Sequence, residues 1–356
     1  MMKKTAMKAL LGATTAITLS AGVAAAQDVT LRMHQFLPGA ANVPALILER
    51  WADAVEADSN GRIAIERYHA MALGGRPPEL MDQVLDGIAD IVWTVNGYTP
   101  GRFPRTEVFE LPFFVENPRA ASAALWTMYE EHMQDDFAGV HQLGMWVHGP
   151  GMFHTNAPVA TPEDLQGMKI RGGSRMVNDL LTQLGAEPVG LPVTGIPEAL
   201  SRGVIDGTTI PWEVAGILHV PELVNNHTEI EGTALYTLTF SFAMNQDVYD
   251  SMPADLQQVI DDNSGLNFSV FAGGTQTDAD GPVRAAAVER GNNIVTVTAD
   301  EAQAWVDVAQ PIYASWLADM DSQGIDGQAL IDEARALMTQ YDATADDMFN
   351  AWASEN

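Results

Sequence analysis

Arg171 closes the run Met168-Lys169-Ile170-Arg171 and is followed at once by Gly172-Gly173-Ser174 and an amphipathic segment. A guanidinium placed where a strand gives way to a helix can grip a carboxylate through two parallel hydrogen bonds. The free N–H groups of the helix's first turn assist an anion there. The surrounding chain is acidic, with 47 Asp and Glu against 18 Lys and Arg and a formal charge of −29. An isolated cation at such a junction points to a small organic acid as ligand. The competing reading is a structural ion pair, which predicts a carboxylate of the protein itself against the guanidinium.

In open α/β sheets, ligands gather beyond the carboxyl ends of the strands. Those ends offer Gln35 and Phe36, then Trp93 and Asn96, then Arg171, then Pro211, Trp212 and Glu213. The candidate site is therefore Arg171 for a carboxylate, with Trp93, Trp212 and Phe242 as an apolar wall. Asn96, Gln35 and Asn245 supply hydrogen bonds, and Phe36, Tyr98 and Glu213 complete the set. Arg175, one turn into the following helix, belongs at the rim or in solvent. Arg102 and Arg105 read as loop-stabilising partners of Glu107 and Glu110.

Enzymatic signatures are absent: no G-x-S-x-G elbow, H-E-x-x-H pair or G-x-x-x-x-G-K-[ST] loop occurs. His141, His148 and His154 lie across a strand and a loop, which is not ligand spacing on one helix. Ser174 suits a helix N-cap better than a nucleophile. With no Cys in the chain, thiolate chemistry and disulfides are excluded. A single carboxylate, Glu213, is a thin basis for a metal, so neither cofactor nor metal is expected.

Residues 1–26 read as an export signal. Lys3, Lys4 and Lys8 precede the apolar stretch Leu10 to Leu19, and Ala24-Ala25-Ala26 forms a small-residue cleavage site. Loss of those three lysines would move the formal charge to −32 (−29 − 3). Such a surface repels nucleic acid and anionic lipid.

Short apolar strands alternate with amphipathic helices from Val29 onward, which argues for parallel sheets covered by helices. Strands are predicted at Val29 to Met33, Arg62 to Tyr68, Asp90 to Val95, Leu143 to Val147, Met168 to Arg171 and Gly207 to Trp212. Tyr236 to Met244 alternates with period two and reads as a long strand returning to the first half. Two long helices close the chain, at about 299–323 and 328–352.

Several segments carry a family resemblance. They are Ser59-Asn60-Gly61-Arg62-Ile63, Gly87-Ile88-Ala89-Asp90-Ile91, Glu110-Leu111-Pro112-Phe113 and, above all, Thr161-Pro162-Glu163-Asp164-Leu165-Gln166-Gly167-Met168-Lys169-Ile170-Arg171. Leu184-Gly185-Ala186-Glu187-Pro188-Val189 and Ala199 to Gly207 continue it. In order and spacing the chain resembles the DctP-like substrate-binding subunit of tripartite ATP-independent periplasmic (TRAP) transporters. The resemblance implies a two-lobed periplasmic binding protein of Venus-flytrap type, with mixed sheets flanked by helices and a long inter-lobe helix. It implies lobe I from 27–148 plus 238–280, and lobe II from 149–237 plus 281–356 with the C-terminal helices.

It further implies a periplasmic location and delivery of a small organic acid to TRAP membrane permease subunits, with Arg171 as the carboxylate-binding arginine. Many acid-binding members carry a second Arg in a G-x-R pattern, but Gly149 to Thr155 has none. That departure favours a monocarboxylate with a compact apolar, aromatic or cationic remainder over dicarboxylates or sialic-acid-like sugars. The alternatives are a periplasmic enzyme acting on organic acids and a ligand-sensing receptor subunit.

Overall fold

The computed structural model describes residues 27–355, so the expected signal segment lies outside the described residues. Among the described residues eleven strands run in chain order: β1 Val29–His34, β2 Ile63–Tyr68, β3 Ile91–Val95, β4 Val140–Val147, β5 Met152–Thr155 and β6 Lys169–Gly172. There follow β7 Glu187–Gly190, β8 Gly207–Ile210, β9 Asn226–Ile230, β10 Thr239–Asn245 and β11 Asn293–Val297. The helices are α1 Glu49–Asp58, α2 Leu80–Leu85, α3 Pro118–Met128, α4 Arg175–Gln183, α5 Ile196–Ser201, α6 Trp212–Ile217 and α7 Val220–Leu223. After them come α8 Gln246–Ser251, α9 Ala254–Asp262, α10 Leu266–Asp278, α11 Asp280–Arg290, α12 Ala299–Ser322, α13 Gly327–Asp342 and α14 Ala345–Glu355. No helix among the described residues is long and apolar enough to cross a membrane.

The strands form two sheets. The first lobe holds the order β2-β1-β3-β10-β4 and the second the order β11-β9-β5-β8-β6-β7. Neither is purely parallel. β10 runs antiparallel to both β3 and β4, and β5 antiparallel to both β8 and β9. These are the strands whose neighbours in the sheet are distant in sequence, so the βα repetition along the chain could not reveal their direction. β5, β9 and β11 are short or polar and escape periodicity altogether.

α12 connects the lobes. Trp305, near its start, packs on Phe153 of β5, with ring centroids 5.7 Å apart. Two turns later the Tyr313 hydroxyl donates to the Pro112 carbonyl at 2.7 Å, on the first-lobe side. The helix opens with a capping box between Thr298 and Glu301, which satisfies backbone donors that would otherwise be orphaned. Beyond α12, the C-terminal helices do not stay with the second lobe as expected. The hydroxyls of Thr127 on α3 and Tyr341 on α13 lie 2.9 Å apart, and Trp352 of α14 packs on Phe271 of α10 at 4.2 Å. Their Trp, Tyr and Phe stripes cover α3 and α10, which would otherwise expose apolar side chains.

α10 packs closely on α3 and β4 at Gly273. A Cβ added at Gly273 would stand 2.2 Å from the Ser122 Oγ and 3.0 Å from the Val147 carbonyl. Ser122 is not free to yield, because its Oγ donates to the Pro118 carbonyl at 2.7 Å and accepts the Val147 N–H at 3.2 Å. Gly273→Ala is therefore expected to destabilise the protein by about 1–3 kcal/mol, read as a lower urea midpoint with unchanged slope.

Candidate functional site

Arg171 sits inside β6 and is 1 % exposed. Its Nε donates to the Leu191 carbonyl at 2.8 Å and its Nη1 to the Thr209 carbonyl at 3.2 Å. The remaining Nη2 is buried and has no well-formed hydrogen bond. Among the described residues no carboxylate pairs with this guanidinium, whereas neighbouring Arg175 pairs with Glu107 and Asp319. The structural ion-pair reading of Arg171 is thereby excluded for the described chain. Two carbonyls fix the fork, and its third arm faces a cavity.

That cavity lies between the lobes. Phe36, Trp93 and Phe240 supply the first-lobe wall, while Arg171, Ile210 and Glu213 come from the second. The wall is a stack of rings. Phe36 lies 4.5 Å from Trp93 at 15°, and Trp93 lies 5.3 Å from Phe240 at 20°. Tyr98 meets the Phe36 ring edge-on at 5.9 Å. Its hydroxyl accepts the Val193 N–H at 2.9 Å, which joins the lobes directly over the cavity.

Tyr98, half-buried, and Tyr236, buried, are phenols that feel the Arg171 charge. Burial raises both above the usual phenol range, Tyr236 to about 12, so each keeps its proton and can donate it. His148 also lines the cavity. Its Nδ1 donates to the Gly149 carbonyl, and its Nε2 accepts the Leu238 N–H at 3.1 Å, which fixes a neutral ring. Burial, with the nearby Arg171 charge, lowers its pKa to about 4.

Glu213 enters the wall from the first turn of α6. Its Oε1 accepts the Gln276 amide at 2.6 Å, and Gln276 in turn accepts the Trp146 indole N–H at 3.0 Å. The Glu213 backbone N–H donates to Asp280 at 2.7 Å. Burial pushes Glu213 up to about 7 and Asp280 up to about 8, the second also opposed by the Glu213 charge. Glu110, buried behind Thr239, is raised to about 7 for the same reason.

The sequence-derived set divides. Arg171, Trp93, Phe36, Tyr98 and Glu213 converge on the cavity. Gln35 does not line it; its amide clamps the backbone of Leu37, donating to the carbonyl at 2.7 Å, and so positions the adjoining Phe36. Asn96 ties the turn after β3 to β10 instead, through Thr239 at 3.2 Å and Ser241 at 2.8 Å. Trp212 turns away: its indole donates to Glu229 at 2.7 Å and its ring packs on His154 and His227. β8 ends at Ile210 and Trp212 opens α6, so the helical turn leaves Pro211 and Glu213 on the cavity and carries the Trp212 ring away from it.

Phe242 packs edge-on to Trp51 at 4.8 Å, and Asn245 caps α8 at the far end of the sheet. Both misplacements share one cause. β10 is antiparallel, so its start rather than its end lies with the carboxyl end of β3, and Phe240 takes the place expected of Phe242. Gln276 had no sequence signal, being one polar residue in a helix. Arg102 and Arg105 do stabilise loops, but through Asp82 and Asp136 rather than Glu107 and Glu110.

The bacterial extracellular solute-binding protein family 7 model, DctP, matches residues 39–319. The chain belongs to this family. It is a TRAP-type solute-binding protein. A TRAP solute-binding protein from Rhodoferax ferrireducens, solved with copurified benzoate, is 44% identical with TM-score 0.87, covering 89% of this chain and 99% of that one. A marine-metagenome TRAP protein specific for aromatic acid ligands, solved with 3-hydroxybenzoate, is 39% identical with TM-score 0.87, covering 89% and 100%. The ectoine-binding periplasmic protein TeaA of Halomonas elongata is 26% identical over 90% of this chain and 93% of its own.

The titrating groups give stability two opposing slopes. His148, His154 and His227 are held at about 4, about 3 and about 4, chiefly by burial. The folded state thus binds fewer protons than the unfolded chain up to about pH 6.5, and stability rises with pH across that range. Glu110, Glu213 and Asp280 bind more protons when folded, from about pH 4 to their raised values of about 7 to about 8, so they make stability fall as pH rises. A melting-temperature maximum at roughly pH 5–6 is expected, with Glu213→Gln flattening the alkaline fall. Melting scans across pH check this.

Proposed function

We propose that the chain is exported, loses residues 1–26, and binds an aromatic monocarboxylate such as benzoate in the inter-lobe cavity for delivery to TRAP membrane permease subunits. The carrying observation is the buried Nη2 of Arg171, a cationic donor held in a low-dielectric wall with no protein carboxylate against it and no well-formed hydrogen bond. An unpaired buried charge costs several kcal/mol, and a solute carboxylate removes that cost. The Tyr98 and Tyr236 hydroxyls stand beside the same guanidinium and can donate to the second carboxylate oxygen. Opposite, the Phe36–Trp93–Phe240 stack offers a flat apolar face that suits an aromatic ring better than an aliphatic chain. The benzoate and 3-hydroxybenzoate complexes of the two relatives support the same ligand class.

Closure follows from the division of labour. The aromatic stack belongs to one lobe and the cation to the other, so the solute touches both only when the cleft is shut. Binding then shifts the population toward the closed form. The Tyr98–Val193 bond and the Arg175–Glu107 pair at 2.5 Å each run from one lobe to the other, so they form only when the lobes meet.

Calorimetry with benzoate tests the reading. Arg171→Ala should weaken binding by about 2–5 kcal/mol, or roughly thirty- to several-thousand-fold. Arg171→Lys should fail nearly as badly, because an ammonium cannot reproduce a fork held by two carbonyls. Unchanged affinity in Arg171→Ala, or turnover of the bound acid, would overturn the proposal. Small-angle scattering should show a more compact particle on adding saturating benzoate.

A further inference from the structure

We propose that the Trp93 indole N–H and the buried Glu213 carboxyl form a second polar pole in the cavity that receives a hydroxyl group on the solute's ring. A hydroxy-substituted aromatic acid is then preferred to its unsubstituted parent. This inference rests on the aromatic-acid reading above.

The indole Nε1 of Trp93 is buried and has no acceptor. Its ring is stacked against Phe36 and Phe240, which offer none. Buried polar atoms are rarely left in this state, and one lining a ligand cavity marks a place where the ligand supplies the partner. Glu213 makes the complementary case. Charge alone would keep an acid out of the wall of an anion site, yet this one is 2 % exposed and built in. Gln276 holds its Oε1 and is itself anchored by Trp146. That partner leaves lone pairs over, since a carboxyl group carries about four acceptor sites.

The two groups together restrict the substituent. Trp93 can only donate and Glu213 can accept, so the matching group must accept one hydrogen bond and give another. A hydroxyl does both. A methoxy group has no proton for Glu213, an ammonium group has no lone pair for Trp93, and a second carboxylate meets the acidic side of the pole unfavourably.

The test is calorimetry with benzoate, 3-hydroxybenzoate, 4-hydroxybenzoate and 3-methoxybenzoate on the mature protein and on Trp93→Phe, Glu213→Met and Glu213→Gln. The readout is the affinity ratio of each hydroxybenzoate to benzoate within one variant, which is insensitive to the fraction folded; circular dichroism melts confirm folding. One hydroxy isomer should bind about tenfold or more tightly than benzoate and 3-methoxybenzoate. That ratio should collapse toward one in Trp93→Phe and Glu213→Met, and survive in Glu213→Gln, whose amide still accepts and donates. Equal binding of benzoate and both hydroxy isomers, or a ratio that persists in Trp93→Phe and Glu213→Met, overturns the proposal. Benzoate binding in those experiments leaves the aromatic-acid reading standing, whereas no aromatic acid binding at all removes both.

Discussion

A guanidinium buried without a protein counterion constrains everything around it. The Leu191 and Thr209 carbonyls hold two of its edges, so the cation is neither mobile nor neutralised. Its neighbours are groups that tolerate a positive charge: two protonated phenols and a histidine kept neutral by backbone partners at both nitrogens. The acids that dominate the composition are kept back from it. Glu107 and Asp319, which could have quenched the charge, are engaged at the rim by Arg175.

The same constraint accounts for the aromatic wall. A carboxylate drawn out of water needs the rest of the molecule to be apolar enough to leave water as well, and a ring slab offers large area at little conformational cost. The slab stays flat because backbone clamps hold it. Gln35 grips Leu37 next to Phe36, Asn96 straps the end of β3 to β10, and Trp146 lies parallel to Trp93 at 6.4 Å from behind. Gln35 and Asn96, expected to line the cavity, thus fix the shape of its wall instead.

Local sequence exposed those parts of the site set by one strand and the turn after it. Arg171, Phe36, Trp93 and Glu213 each stand at such a place, and strand ends on parallel strands point to the cleft. It failed where placement depends on a partner far along the chain. Nothing between Tyr236 and Met244 states that β10 inserts backwards between β3 and β4, so Phe240 and Phe242 could not be told apart. Trp212, read as the end of a strand, is instead the first residue of α6. The short polar strands β5, β9 and β11 owe their existence to the sheet that recruits them, and a context-dependent strand leaves little local trace.

β10 has one further implication, for the order of assembly. In the first sheet β4 is joined to the others only through β10. Until residues 239–245 have emerged, β4 has no strand beside it, although every other strand of that sheet precedes residue 148. The amino-terminal half therefore cannot complete its sheet before residue 245 is made, and pairings this distant in sequence are slow to form. A chain so arranged closes its first sheet only after residue 245 of 356 is available, with the second-lobe strands β5 to β9 already made.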